Sequence, residues 1–311
     1  MELIRGIYNI LPKHHGCVLT IGNFDGVHRG HAQVIANLLL KAKQYKLPAT
    51  VMLFEPQPQE MFMGTDSPAR LSLLRDKLNL LEELGVERVV CINFNHSFSS
   101  QPPSVFIEDL LVDKLGVKYL VVGDDFCFGK NRGGNFAMLR KAGETFGFAV
   151  ESTQSFIIGD MRVSSTVVRT ALANGQFEQA RRLLGHPFTI SGRVAYGQQL
   201  GRTMGFPTAN IALKRNVVPV RGVFAVKMHG IDDECYEGVA NIGFRPTVNG
   251  QVCQLEVHIF DFDGDLYGKL VEVELVAKIR DEQPFKSLDA LKTQILKDVN
   301  KAKALFGNDA S

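Results

Sequence analysis

The stretch CVLTIGNFDGVHRGHAQVIANLLLKAKQYKLPATVMLF, Cys17 to Phe54, decides the fold. CVLTIG (Cys17–Gly22) is an apolar run of strand length, HAQVIANLLLKAKQ (His31–Gln44) repeats its apolar residues at helical spacing, and ATVMLF (Ala49–Phe54) is strand-like again. A helix between two such runs is a βαβ unit, which places the strands in parallel. The alternation continues with a helix near Leu71 to Gly85, a strand at RVVCINF, a helix at PSVFIEDLLVDKLG and a strand at YLVVG. These segments predict a nucleotide-type α/β domain with a parallel, Rossmann-like sheet.

Beyond a strand and turn at Phe156 to Ser165, two short helices are predicted, TVVRTALANG and QFEQARRLLG, each closed by a glycine suited to a left-handed C-cap. From Phe188 the pattern changes. FTISGRVAYG, GVFAVKM, CYEGVANIG, QLEVHIFDF and LVEVELVAKI follow one another without intervening helices, at the spacing of an all-β barrel or sandwich. SLDALKTQILKDVNKAKALFG then reads as an amphipathic cover helix. The boundary falls at Gly185 to Pro187, giving domains 1–185 and 186–311.

Composition narrows the function classes. Of 311 residues, 35 are Lys or Arg and 33 Asp or Glu, a formal charge of +2, so no global field favours nucleic acid or an anionic membrane. Five scattered cysteines, Cys17, Cys91, Cys127, Cys235 and Cys253, lack zinc-finger or thioredoxin spacing and predict reduced thiols in a cytoplasm. The first residues are interrupted by Pro12, Lys13 and two histidines before any signal-like apolar run, and no later run has membrane-spanning length.

GNFDGVHRGH lies between strand and helix, where Gly22, Gly26 and Gly30 let the backbone approach a ligand. His28 and His31 stand three apart at the positive end of the helix, placed to donate to a phosphate whose charge grows in a transition state. A capping pair and a zinc pair are the competing readings, although no third zinc ligand stands at a persuasive distance. Val163, Ser164, Ser165 and Thr166 open a later helix, with Arg169 one turn in, as an anion site or as an ordinary N-cap beside a solvated arginine. GDDFCFGKN (Gly123–Asn131) only superficially resembles a P-loop: five residues separate its glycines, and Asn131 replaces the hydroxyl residue.

In the second half, Gly197, Gly201 and Gly205 recur every fourth residue in GQQLGRTMG, either laying amides over phosphates with Arg202 as charge partner or forming a plain barrel turn. FPTAN puts Thr208 and Asn210 on one side of an extended segment, two hard oxygens that suit magnesium, or a turn. Leu255, Val257 and Ile259 alternate with Gln254, Glu256 and His258, so Glu256 faces away from the apolar side. It is a general base if that face lines a pocket, and simply exposed if not.

GNFDGVHRGH and RVSSTVVR resemble the two signature motifs of the nucleotidyltransferase superfamily, and FEPQPQE and VVGDDFCFGK resemble segments of an FMN adenylyltransferase module. GFPTAN, NIGFRPT, LEVHIFDF, DLYG and IRDEQPF follow in the order of prokaryotic riboflavin kinases. The whole chain thus resembles the prokaryotic bifunctional FAD synthetases. That resemblance implies a six-stranded antiparallel barrel with a terminal helix in the second domain, and two reactions, riboflavin to FMN there and FMN to FAD in the first. It implies ATP and Mg2+ for both, and flavin-requiring apoenzymes as recipients of FAD. It assigns His28 and His31 to the α-phosphate of ATP, Ser164, Ser165, Thr166 and Arg169 to the outer phosphates, and Gly22, Asn23 and Asp125 to the nucleotide. Phe54, Pro56 and Pro58 go to the flavin side, where Gln57 stands in a position often held by histidine. In the kinase half it makes Thr208 and Asn210 ligands of magnesium-ATP beside the glycine loop, Glu256 the base, and Arg280 and Phe285 neighbours of the flavin.

Overall fold

The computed structural model describes residues 1–311 except 124, 154–155, 198–200, 202–203, 214–216, 248–249 and 309–311, and the side chains of 212, 244–247, 250–252 and 308. The chain divides into two compact units, one of Met1–Pro68 with Ser72–Ser164, the other of Ala69–Leu71 with Ser165–Ser311.

The first unit is built on six parallel strands, β1 (Glu2–Arg5), β2 (Cys17–Ile21), β3 (Ala49–Glu55), β4 (Arg88–Asn93), β5 (Val117–Gly123) and β6 (Ala149–Thr153), in the order β1-β4-β3-β2-β5-β6. Both faces are buried, which is why these strands read as continuous apolar runs. Leu19, Met52, Val90 and Leu120 pack on one side against Phe106, Leu111 and Leu139. Val18, Val51, Val89 and Val121 pack on the other against Ile35, Leu38 and Leu81. Helices α1 (Arg29–Tyr45) and α3 (Leu74–Glu83) supply the second set, while α2 (Pro58–Met63) follows β3 directly. The predicted helix at PSVFIEDLLVDKLG is present but opens into wider π-type turns over Phe106–Lys114. The strand order reverses between β2 and β5, so the loop after β2 emerges where open α/β sheets bind ligands.

The second unit is a closed antiparallel barrel of strands β9 (Thr189–Ala195), β10 (Ala209–Ala212), β11 (Gly222–His229), β12 (Tyr236–Thr247), β13 (Gly250–Ile259) and β14 (Leu270–Arg280), ordered β10-β13-β12-β11-β14-β9; β7 (Ile157–Ile158) and β8 (Met161–Arg162) pair separately in the first unit. This is the six-stranded barrel the resemblance implied. Its terminal helix (Leu288–Asn308) lays Val299, Ala302 and Phe306 on Val223, Ala225 and Val239. The two glycine-closed helices, Ser165–Ala173 and Phe177–Leu184, pack within this unit, where Phe177 meets Phe224 edge-on at 5.7 Å.

Candidate functional sites

In the barrel, one row of paired residues crosses every strand: Ala195 with Asn210, Asn210 with Glu256, Glu256 with Asn241, Asn241 with Val223, and Val223 with Arg280. Partners in register share a face, so Asn210, Glu256 and Asn241 stand side by side. They face away from Leu255 and Val257, which are fully buried, and toward the side covered by the terminal helix. A cavity of about 340 Å³ opens there, and its wall includes Thr208, Asn210, Asn241, Glu256, Arg280 and Phe285. The face expected to carry Glu256 therefore does line a pocket.

The two ends of this cavity differ in chemistry. At one end, Thr208 and Asn210 present hydroxyl and amide oxygens next to Glu256. A Cβ on Gly197 would lie 2.2 Å from the Asn210 amide nitrogen, and one on Gly201 would lie 2.3 Å from the Phe206 carbonyl and 3.4 Å from the Thr208 hydroxyl. Gly197 makes room for the Asn210 side chain and Gly201 for the backbone of the FPTAN segment. Gly205 has a left-handed φ of 86°. Arg202 lies outside the described residues. At the other end, the Arg280 Nε and Nη2 donate to both oxygens of buried Asp298, at 2.8 to 3.0 Å, and Gln294 adds a bond of 2.9 Å to the same carboxylate. This fork holds the guanidinium with its carbon 5.6 Å from the centre of the Phe285 ring. Asp298 escaped the sequence reading because it sits in an amphipathic helix, and Asn241, although it opens the quoted NIGFRPT segment, was given no role.

In the first unit, His28 is the N-cap of α1, its Nδ1 accepting from the His31 amide at 3.3 Å. The two imidazoles stack with centroids 3.6 Å apart and planes 12° from parallel. Gly30 permits this, since a Cβ there would lie 3.2 Å from the His28 ring and 3.5 Å from the Val163 carbonyl. Burial, with His28 and the buried ammonium of Lys77 nearby, pushes the His31 imidazole well below its usual range, so it is neutral at pH 7. Its Nδ1 has no hydrogen-bond partner among the described residues. The loop is strained: Phe24 and Val27 take left-handed φ values of 47° and 38°, and for β-branched Val27 that conformation is costly. It is held by the Gly26 amide donating to the Ser72 hydroxyl and the Ser72 amide donating to Asp25.

Gly22 and Asn23 begin this loop, and the Asp125 carboxylate lies against Gly123 at the end of β5, 2.7 Å from where a Cβ would be. Ser164 falls in the first unit; Ser165, Thr166 and Arg169 fall in the second, where the Arg169 Nε donates to the Ala69 carbonyl at 2.6 Å. A separate cavity of about 550 Å³ is walled by Phe54, Pro58, Phe62, Phe94, Phe98, Phe106, Phe126 and Phe128, with Lys130 and Arg132 at its edge. Pro56 is exposed and is not part of that wall, and Gln57 is buried. These phenylalanines are dispersed along the chain and converge only in the fold; Phe54, Phe126 and Phe128 lie in quoted motifs, whereas no motif announced Phe62, Phe94, Phe98 or Phe106.

The α/β unit thus carries stacked imidazoles at a helix start by the strand-order reversal, and the barrel carries a carboxylate beside hard oxygens in one cavity. Residues 10–167 match the FAD synthetase family model and residues 184–306 the riboflavin kinase model. A bifunctional riboflavin kinase/FMN adenylyltransferase from Haemophilus influenzae is 53% identical over 308 residues, covering 99% of this chain and 100% of that one. The Escherichia coli K12 enzyme of the same description is 54% identical over 308 residues, covering 99% and 98%. A solved structure described as a macrolide-efflux protein from Streptococcus pneumoniae superposes with a TM-score of 0.80 at 29% identity, covering 96% of this chain and 97% of that one. None of this chain's described helices is long and apolar enough to cross a membrane.

The chain belongs to the bifunctional riboflavin kinase/FMN adenylyltransferase family. Its C-terminal part phosphorylates riboflavin to FMN with ATP, and its N-terminal part transfers AMP from ATP to FMN, giving FAD and pyrophosphate.

Proposed function

We propose that the barrel cavity is the kinase site and that Glu256 is its general base. The observation that carries this is the row Asn210–Glu256–Asn241, which sets one carboxylate between the oxygens of FPTAN and the Arg280–Phe285 pair in a single cavity. The terminal ribityl hydroxyl of riboflavin gives its proton to Glu256 as its oxygen attacks the γ-phosphorus of ATP, and the bond to ADP breaks. Arg280 and Phe285 lie beside the flavin ring. Thr208 and Asn210 fit Mg2+, because two neutral hard oxygens suit a small cation that keeps its waters and is shared with nucleotide phosphates. When bound, that ion supplies charge to the transferring phosphoryl group. Gly197, Gly201, Arg202 and Gly205 flank the same nucleotide.

In the adenylyltransferase half, an FMN phosphate oxygen attacks the α-phosphorus of ATP and pyrophosphate leaves. His28 and His31 donate to the α-phosphate oxygens; a neutral His31 is a hydrogen-bond donor rather than a charge partner. Ser164, Ser165, Thr166 and Arg169 hold the outer phosphates, with Gly22, Asn23 and Asp125 at the nucleotide. The phenylalanine-walled cavity, with Phe54 and Pro58, receives the flavin, and Pro56 contributes to its approach. Functionally the domains divide at 185/186, next to residue 184, where the riboflavin kinase match begins. Magnesium serves both steps. The enzyme works in the cytoplasm on small molecules, with flavin-requiring apoenzymes as recipients of FAD and neither nucleic acid nor membrane as a partner.

The test supplies purified variants with ATP, magnesium and either flavin, and separates products by chromatography. Glu256→Gln is expected to lose roughly a hundred- to ten-thousand-fold in riboflavin phosphorylation, the usual range for a general base, while converting supplied FMN normally. His28→Ala should stop at FMN. Normal phosphorylation by Glu256→Gln would remove the base assignment.

A further inference from the structure

The row of paired residues has an order, and the order constrains how riboflavin lies. Glu256 and Arg280 are separated along it by Asn241 and Val223. A substrate whose terminal hydroxyl meets Glu256 and whose aromatic ring reaches Arg280 and Phe285 lays its linking chain across those two positions. Val223 is apolar and 5% exposed, packed under the terminal helix. Asn241 is partly exposed and lines the cavity, and directly paired residues bring their Cβ atoms within about 4.5 to 5.5 Å, so its carboxamide stands immediately beside the Glu256 side chain. A carboxamide both donates and accepts, which matches a secondary hydroxyl that does the same.

We propose that Asn241 is a specificity-determining residue of the kinase site that hydrogen-bonds the inner hydroxyls of the ribityl chain. The assignment rests on the placement of riboflavin between Glu256 and Arg280 proposed above. It gives the kinase a means of preferring a polyhydroxylated chain over a plain hydroxyalkyl chain of equal length. A carboxamide that a bound chain without hydroxyls covers from water is left with its own donor and acceptor unpaired, which is the stronger half of such discrimination.

The experiment measures kcat/KM for phosphorylation of two flavins, riboflavin and an otherwise identical flavin whose chain keeps the terminal hydroxyl and lacks the inner ones. Wild type is expected to favour riboflavin. Asn241→Leu, close in volume, should lower kcat/KM for riboflavin by about tenfold or more and leave the deoxy flavin unchanged or improved, collapsing the preference. Asn241→Gln should restore part of it. The ratio of the two substrates is insensitive to misfolding, since inactive protein lowers both rates equally. An equal loss on both flavins, or a preference retained by Asn241→Leu, overturns the proposal. Failure of the underlying placement is distinguishable, because then Glu256→Gln phosphorylates riboflavin normally whatever Asn241 does.

Discussion

At the scale of single residues, the glycines of GQQLGRTMG carry a packing burden besides the one their spacing suggested. Gly197 is required because the Asn210 side chain fills the space where a Cβ would stand. Gly197→Ala must therefore displace Asn210, and loss of one positioned ligand predicts a drop in riboflavin phosphorylation of at least about tenfold, with FMN adenylylation unchanged. Unaltered phosphorylation would show that Asn210 is dispensable. The histidine pair was legible because residue type, spacing and position after a strand all pointed to one helix start. The Asn241 carboxamide was not, since a polar residue in the run CYEGVANIG has no meaning until its cross-strand partner is known.

At the scale of elements, the long apolar runs announced themselves and the short ones did not. Strands β1 and β10 have four residues each, too few for a periodicity to emerge, and β10 was read only as an extended segment. What secures β1 is charge as well as pairing. Glu2 meets Lys13 at 2.8 Å and His14 at 3.1 Å, with Arg88 3.5 Å away, and hydrogen bonds from Lys13 and His14 hold its carboxyl down to about 2. A carboxylate whose folded value is depressed stabilises the protein above its unfolded value of 4.5 and loses that contribution as pH falls toward 2. Glu2→Gln is expected to melt at a lower temperature than wild type at neutral pH. The gap should close as pH is lowered from 4.5 toward 2. A gap that persists at the acid end would mean that packing, not charge, ties β1 to the sheet.

At the scale of the whole molecule, the chain packs as two units, each with its own core and its own cavity. The change from alternating helices and strands to strands alone put a boundary at Gly185 to Pro187 in the sequence, because a parallel sheet needs crossover helices and an antiparallel barrel does not; the packed units instead part at Ser164/Ser165, with the two glycine-closed helices in the barrel unit. The aromatic cavity of the first unit was legible only at Phe54 and Pro58: its walls come from the end of β3, from α2 and from segments near residues 94–106 and 126–132, and only the fold assembles them. The central claim is that phosphorylation depends on Glu256 in one unit and adenylylation on His28 in the other, with FMN as the free intermediate. It is tested most directly by mixing Glu256→Gln protein with His28→Ala protein and supplying riboflavin, ATP and magnesium. The mixture is expected to accumulate FAD, while the first variant alone leaves riboflavin unchanged and the second alone stops at FMN. FAD formed from riboflavin by either variant alone at the wild-type rate, or no FAD from the mixture, would contradict it.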